Sequence, residues 1–217
     1  MLKVENLTMV ARETLLEGMN AEFVGGYAYG IVATNGSGKT TLLRILAGLT
    51  KAQSGSVYLT DNGKRLDLIT TRKKLFYYET SDWLDGHLSG LDYLEFVNSG
   101  WADNNGNIDE IIQYWDLAEF VKLPIRKYSL GMKQKIILAM YAVSDTDYWL
   151  MDEPMNGLDE ANQKRFIKSI DKARKQGKCI VFSLHQNDVL HNISDRVHYI
   201  ANKKWSDTNN ETAKIIL

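Results

Sequence analysis

Cysteine and excess charge of either sign are almost missing from this chain. One cysteine in 217 residues rules out an internal disulfide framework. Cys179 lies in residues 178–182, which read Lys-Cys-Ile-Val-Phe and predict a thiol buried in a strand. The formal net charge of −1 provides no broad basic surface, which argues against a protein held mainly by nucleic-acid phosphates.

Long apolar runs are missing as well. Residues 136–143 form one of the longest, far shorter than the ~20 residues that a membrane span needs. Residues 1–6 contain no apolar core of the kind that a secretory signal peptide carries. We therefore expect a cytoplasmic protein that connects to a membrane only through a partner.

What the chain does contain is a glycine-rich segment between a strand pattern and a helix pattern. Residues 27–33 are typical of a buried strand, and residues 41–47 form an amphipathic helix that stops at Gly48. In a phosphate-binding loop, backbone N–H groups converge and the helix N-terminus attracts the anion. Lys39 would reach the β- and γ-phosphates, and the Thr40 hydroxyl would bind Mg²⁺. The expected nucleotide-binding residues are Asn35, Gly36, Ser37, Gly38, Lys39, Thr40 and Thr41.

One position departs from the full phosphate-loop pattern. Ala33 stands where the pattern has its first glycine. Because alanine avoids positive φ, we expect a slightly altered backbone at the start of the loop. A chance Gly-Ser-Gly-Lys-Thr in an ordinary strand-turn-helix is the alternative interpretation.

A second strand pattern ends in two acids. Residues 148–151 are apolar and lead into Asp152, Glu153 and Pro154. We expect Asp152 to hold Mg²⁺, through water, and Glu153 to polarise the water that attacks the γ-phosphate. The same residues could simply end a strand, and the phosphate loop about 100 residues earlier is what favours the catalytic interpretation.

Strand and helix patterns alternate along the chain, which predicts an α/β fold with a mostly parallel sheet. Residues 2–8 and 21–24 predict an antiparallel pair of strands. Residues 88–142 show helical periods instead, which indicates a helical insert. Its first apolar face consists of Leu91, Leu94, Phe96 and Val97.

Two further motifs flank the acids. Residues 156–159 read Asn-Gly-Leu-Asp, and the preceding helix opens with Ser-Leu-Gly at residues 129–131. Together with the phosphate loop, in this order and over nearly the whole chain, these motifs resemble the ATP-binding subunit of ABC transporters. In that family two such domains face each other head to tail and enclose two ATP molecules. The resemblance therefore implies a second nucleotide-binding subunit, identical or different.

The resemblance also implies one domain over residues 1–217. A P-loop NTPase core with a small antiparallel β subdomain would comprise residues 1–80 and 136–217. Residues 81–135 would form a helical subdomain with the signature motif at its end.

Four residues are assigned to the nucleotide site by the resemblance. Ser129 and Gly131 match the signature motif, which meets the γ-phosphate bound to the opposite subunit, and Asp159 matches the loop that joins the two sites. His185 matches the histidine that contacts the γ-phosphate, and we expect it to be catalytic. Without the resemblance, Ser-Leu-Gly would more often be a helix cap, and a histidine at a strand end would more often be structural.

Glu79 departs from the family pattern, which usually has glutamine in this loop. A carboxylate also binds Mg²⁺, so we expect Glu79 to be a metal ligand with Thr40 and Asp152. It adds negative charge beside Asp152 and Glu153. Glutamate here, with residues 128–134, is similar to the branch that includes lantibiotic-immunity and bacitracin-resistance exporters. A surface glutamate with no such role is the alternative.

The segment just after Glu79 has two interpretations. The resemblance places there a groove that receives a short helix of the membrane subunit, and exposed aromatic residues would suit such a contact. The same residues could equally form the core of the helical insert. They are Trp83, Leu84, Leu88 and Tyr93.

The resulting prediction is a transport motor with ATP and Mg²⁺ as cofactors. ATP binding would close two subunits, hydrolysis by Glu153 would reopen them, and separate membrane-spanning permease subunits would export a peptide or drug-like compound. The protein would lie on the inner face of the cell membrane. An ATPase that acts on ribosomes or nucleic acid is one alternative, but its usual paired domains, coiled coils and basic linkers are missing, so we expect no nucleic-acid partner. A nucleotide sensor with little turnover is the other.

The aromatic residue that stacks on adenine in this family is missing near Val10, where residues 9–12 read Met-Val-Ala-Arg. Without a stacking ring, we expect weak discrimination between nucleobases, and GTP should be hydrolysed at a rate comparable to ATP. Assays of the purified protein with both nucleotides measure this ratio. A strong preference for ATP would contradict the prediction.

Overall fold

Strands and helices alternate in the structure, a computed structural model that describes residues 1–102, 105–184 and 193–207. This confirms the α/β fold class. The strands are β1 (Leu2–Val10), β2 (Thr14–Phe23), β3 (Ala28–Ala33), β4 (Ser54–Asp61), β5 (Lys64–Arg65), β6 (Leu75–Tyr78), β7 (Tyr148–Met151), β8 (Cys179–Leu184), β9 (Arg196–Ala201) and β10 (Lys204–Asp207). The helices are α1 (Lys39–Leu46), α2 (Leu68–Lys74), α3 (Gly90–Trp101), α4 (Ile108–Trp115), α5 (Leu130–Ser144) and α6 (Glu160–Lys175), with 3₁₀ turns at Ser81–Trp83 and Ile125–Lys127.

A six-stranded sheet in the order β10-β9-β3-β8-β7-β6 carries the site. Its strands are parallel except β10, which pairs antiparallel with β9. Strands β7 and β8 are buried along their whole length, as expected for apolar runs covered on both faces. Cys179 is buried in β8, as the sequence predicted. Because the strands are parallel, the last residues of β3, β7 and β8 lie at the same edge of the sheet. These residues are Ala33, Met151 and Leu184.

A second sheet, in the order β2-β1-β4-β5, is antiparallel and covers one face of the first. Phe23 and Leu7 from this sheet share an apolar cluster with Leu43 of α1 and Leu150 of β7. The antiparallel pair that the sequence predicted is therefore present. It backs the strands from which the phosphate loop and the two acids emerge.

The other face of the six-stranded sheet is covered by the helical insert. Leu94 of α3 and Trp115 of α4 belong to the same buried cluster as Met151 and Phe182 of the sheet. The insert thus shares its core with the nucleotide-binding sheet. Helix α5 runs without a break across the boundary expected after residue 135, and the subdomain limits stay a prediction.

Phe96 was expected on the apolar face of α3, and this expectation is wrong. Leu91, Leu94 and Val97 pack against the core, whereas Phe96 is 65% exposed. Residues three apart share a helix face, but Phe96 follows Leu94 by only two positions and points away. Its ring meets Trp101 edge-on at 6.4 Å between centroids.

Strand β10 was not predicted from the sequence. Lys204, Ser206 and Asp207 interrupt any apolar pattern, and the strand forms because it pairs with β9. Asn202 and Lys203 join the two strands with φ of +49° and +63°, the left-handed geometry that a tight hairpin turn requires.

Replacing Leu94 by alanine should cost about 2–5 kcal/mol of unfolding free energy, because it opens a cavity in the core that the insert and the sheet share. Phe96→Ala in the same helix is the matched control and should cost less than about 1 kcal/mol, because the ring is largely exposed. Urea unfolding followed by circular dichroism measures both losses. Equal losses of unfolding free energy in the two variants would contradict a core that the insert shares with the sheet.

Candidate functional site

The phosphate loop connects β3 to α1. Gly36 and Gly38 have φ of +79° and +96°. The φ of Gly38 lies in a region that residues with a β-carbon rarely adopt, which favours glycine at this position. Ala33 ends β3 in a strand conformation, without positive φ. Alanine is thus compatible with the backbone at this position, and the slightly altered start of the loop stays a prediction.

Helix α1 begins without a side-chain cap. Asp67, Ser89, Asn107, Ser129 and Asp159 cap the other α-helices of the described ranges. An uncapped helix N-terminus leaves backbone N–H groups and a partial positive charge for an anion.

Two side chains of the loop are also suited to a phosphate. Lys39 is buried and its Nζ donates to the Ala33 carbonyl at 2.8 Å, so the ammonium lies across the loop. Ser37 Oγ is buried and has no hydrogen-bond partner among the residues that the structure describes. These groups fit the phosphate-binding role predicted for residues 35–41.

Asp152 follows β7 directly, and two hydroxyls hold its carboxylate. Thr40 Oγ1 donates to Oδ2 at 2.5 Å, and Ser183 Oγ donates to Oδ1 at 2.5 Å. The structure thus places Thr40 of the phosphate-loop helix against Asp152, and the binding of Mg²⁺ by these two residues stays a prediction. Ser183 was missed, although it is the one hydroxyl in the otherwise apolar run 179–184.

Glu153 is held by its backbone and by its side chain. Its N–H donates to Ser183 Oγ at 2.8 Å, and Asn156 Nδ2 donates to Glu153 Oε2 at 2.7 Å. Its φ of +43° is uncommon for a residue with a β-carbon and costs on the order of 1 kcal/mol or more. Ser183 and Asn156 therefore position the carboxylate predicted to activate water.

Glu79 follows β6, and its carboxylate faces Arg44 of α1. Arg44 Nη2 donates to Oε1 at 2.7 Å, Nε contacts Oε2, and the Tyr77 hydroxyl donates to Oε2 at 2.9 Å. Burial, and then the Glu79 carboxylate, raise the pKa of Tyr77, while the hydrogen bond to Glu79 raises the pKa of Arg44. Metal binding by Glu79 stays a prediction.

The signature residues use their side chains as helix caps within this chain. Ser129 Oγ accepts from the Met132 N–H at 3.2 Å, and Asp159 Oδ1 accepts from the Asn162 N–H at 2.8 Å. A β-carbon on Gly131 would lie 2.9 Å from the Gly157 carbonyl, so α5 packs closely against the turn after the acids. Contact with a nucleotide on a second subunit stays a prediction for all three residues. His185 lies outside the described residues.

These features together define a P-loop nucleotide-binding protein. They are strand β3, the glycine-rich loop with Lys39, the uncapped helix α1, and the Thr40–Asp152 hydrogen bond. A sequence profile described as ABC transporter matches residues 16–156, more than half of the chain. The chain belongs to the ABC transporter family, as its motifs predicted.

Similar proteins agree with this assignment. The lantibiotic transport ATP-binding protein SrtF of Streptococcus pyogenes is 28% identical over 201 residues, or 92% of this chain and 86% of that protein. The cobalt import ATP-binding protein CbiO of Salmonella typhimurium is 30% identical over 204 residues, which cover 87% of this chain and 72% of that protein. The structure of an ATP-binding subunit of an ABC transporter matches with a TM-score of 0.84 over 100% of this chain and 93% of that chain. Its 19% identity shows the fold alone.

Members of this family bind and hydrolyse ATP, so this chain is the ATP-binding, ATP-hydrolysing subunit of an ABC transporter. Such subunits work with membrane permease subunits.

Replacing Ser183 by alanine should lower kcat for ATP hydrolysis about ten- to hundredfold, because Asp152 and the Glu153 N–H both lose a hydrogen bond. KM for ATP should change less than about threefold, because Ser183 does not touch the phosphate loop. Steady-state kinetics of the purified protein measure both constants.

Ser183→Thr keeps the hydroxyl and should restore part of kcat. Ser169→Ala is the matched control, because that hydroxyl donates to the Phe166 carbonyl within α6 and should not affect turnover. A wild-type kcat in Ser183→Ala would show that the bridge does not position the acids.

Proposed function

We propose that this chain drives the export of a peptide or drug-like compound by hydrolysing Mg-ATP on the inner face of the cell membrane. One hydrogen-bonded series carries the proposal: it runs from Thr40 through Asp152 and Ser183 to the backbone of Glu153. It links the phosphate-loop helix to the acids after β7. The groups that would bind metal and activate water therefore belong to one site.

Mg²⁺ fits the oxygens that this site offers. The hydroxyl of Thr40 and the carboxylate of Asp152 are hard ligands, and we propose Glu79 as a further one. In the described ranges, no three His, Cys, Asp or Glu side chains group into a metal site of their own. When bound, Mg²⁺ neutralises charge on the β- and γ-phosphate oxygens.

Hydrolysis is assigned to Glu153. Its carboxylate would accept a proton from the water that attacks the γ-phosphate, while Lys39 and the N-terminus of α1 hold the phosphates in place. The strained backbone of Glu153 and the hydrogen bond from Asn156 support this role, because they fix the direction of the carboxylate. His185 is proposed to contact the γ-phosphate.

A second nucleotide-binding subunit would complete the site. Ser129, Gly131 and Asp159 are proposed to reach the nucleotide of that subunit, identical or different. Ser129 caps the N-terminus of α5, unlike that of α1, and the helix dipole adds a partial positive charge there that suits the γ-phosphate. No nucleic-acid partner is proposed, since the net charge is −1.

The permease is proposed to dock on an apolar groove of about 420 Å³ beside the end of α1. Among the described residues, no helix is long and apolar enough to cross a bilayer. Trp83 is 43% exposed and packs edge-on against Tyr77, which lines the groove, and Leu88 is also exposed, whereas Leu84 is buried. Other residues that line the groove are Leu46, Leu49, Leu68, Leu75 and Trp101.

The direction of transport is supported by the resemblance of residue 79 and residues 128–134 to exporters. The relative SrtF is a lantibiotic transport protein, a name that gives no direction. The cobalt import protein CbiO, at a similar identity, represents the opposite direction. We therefore propose export as the direction of transport, and uptake is the competing direction.

Replacing Glu153 by glutamine should abolish ATP hydrolysis and trap an ATP-bound dimer, because the amide cannot accept the proton from water. Size-exclusion chromatography with light scattering, in ATP and Mg²⁺, measures the trapped dimer.

Lys39→Ala in the Glu153→Gln background is the matched control. It should remove most nucleotide affinity, measured by calorimetry, and with it the dimer. A Glu153→Gln protein that binds ATP but stays monomeric would contradict a sandwich of two identical subunits. Unchanged nucleotide binding in Lys39→Ala would overturn the assignment of the phosphate loop.

A further inference from the structure

An ion pair links the phosphate-loop helix to the segment after β6. Arg44 lies on α1 one turn after Thr40, and Glu79 directly follows β6. The guanidinium contacts both oxygens of Glu79, and the Tyr77 hydroxyl donates to one of them. Both carboxylate oxygens are therefore occupied by donors of the same chain.

The strength of this pair is intermediate. A planar, two-point contact between guanidinium and carboxylate is the strongest form of ion pair. The Glu79 side chain is only 11% exposed, but that of Arg44 is 43% exposed, so water weakens the attraction.

Glu79 borders the proposed metal site. Glu79 and Asp152 line the same small cavity between β6, β7 and α5. Helix α1 donates hydrogen bonds to both acids. The neutral hydroxyl of Thr40 donates to Asp152, and the cationic guanidinium of Arg44 donates to Glu79. The charge of Glu79 is thus neutralised by its partner, whereas Asp152 keeps its full charge for a metal.

We propose that Arg44 is a positioning residue that holds Glu79 away from Mg²⁺ and competes with the metal for its carboxylate. The proposal rests on the proposed function, in which Mg²⁺ binds between Thr40 and Asp152. Glu79 can coordinate the metal only after it leaves Arg44. Breaking the ion pair therefore reduces the net free energy of Mg²⁺ binding. Glutamine at residue 79 would carry no charge for Arg44 to neutralise, so glutamate and arginine act together.

The test compares Arg44→Gln with the wild-type protein. A fluorescent, non-hydrolysable ATP analogue is titrated with Mg²⁺, and the Mg²⁺ concentration at half-saturation is measured, without any turnover. Arg44→Gln should lower this concentration about three- to tenfold, because Glu79 becomes free to coordinate. In a Glu79→Gln background the same change should shift it less than about twofold.

Two further variants complete the comparison. Arg44→Lys keeps the charge but loses the two-point geometry, so it should lower the Mg²⁺ midpoint by a smaller factor, about twofold. It replaces Arg44→Gln as the test variant if Arg44→Gln does not fold. Arg126→Gln removes an equal charge from an exposed position of the 3₁₀ turn Ile125–Lys127 and should give no shift.

An unchanged or raised Mg²⁺ requirement in Arg44→Gln would overturn the inference. So would an equal shift with and without Glu79, because Arg44 would then act only as a distant charge. A lower melting temperature of the nucleotide-free variant with an unmoved Mg²⁺ midpoint would mark the pair as merely structural. Wild-type protein that binds the analogue without Mg²⁺ dependence would instead refute the proposed metal site itself.

Discussion

The carboxylate of Asp152 is held by hydroxyls from two distant parts of the chain. Thr40 lies 112 residues before it and Ser183 lies 31 residues after it. Strand β8 separates β3 from β7 in the sheet, so Ser183 fills the gap between the phosphate loop and the acids. Parallel strands end at one edge, and this is where ligands bind in open α/β sheets. The arrangement of the whole site depends on this contact.

The acids are also connected to the helical insert. Gln134 of α5 donates to the Pro154 carbonyl at 2.8 Å, directly after Glu153. The Tyr141 hydroxyl of the same helix accepts from the Tyr78 N–H at 3.0 Å, one residue before Glu79. Helix α5 therefore touches both loops that carry acids, and it packs in the same apolar cluster as the sheet.

Two departures from the family pattern have different consequences. Ala33 ends β3 without a positive φ, so alanine is compatible with the backbone at this position. Glu79 changes the electrostatics of the site, because its charge recruits Arg44 and the Tyr77 hydroxyl. A substitution at a motif position therefore matters according to the side chains around it.

The sequence by itself determined the strands that carry the site, the phosphate loop and the acids after residue 151. Apolar periodicity and glycine chemistry are local, so they can be read from neighbouring residues. The tertiary structure alone decided that Ser183 bridges the acids, that Arg44 pairs with Glu79 and that Phe96 faces outward. These outcomes depend on which residues distant in sequence become neighbours when parallel strands align and helices choose a face, and no local pattern contains that information.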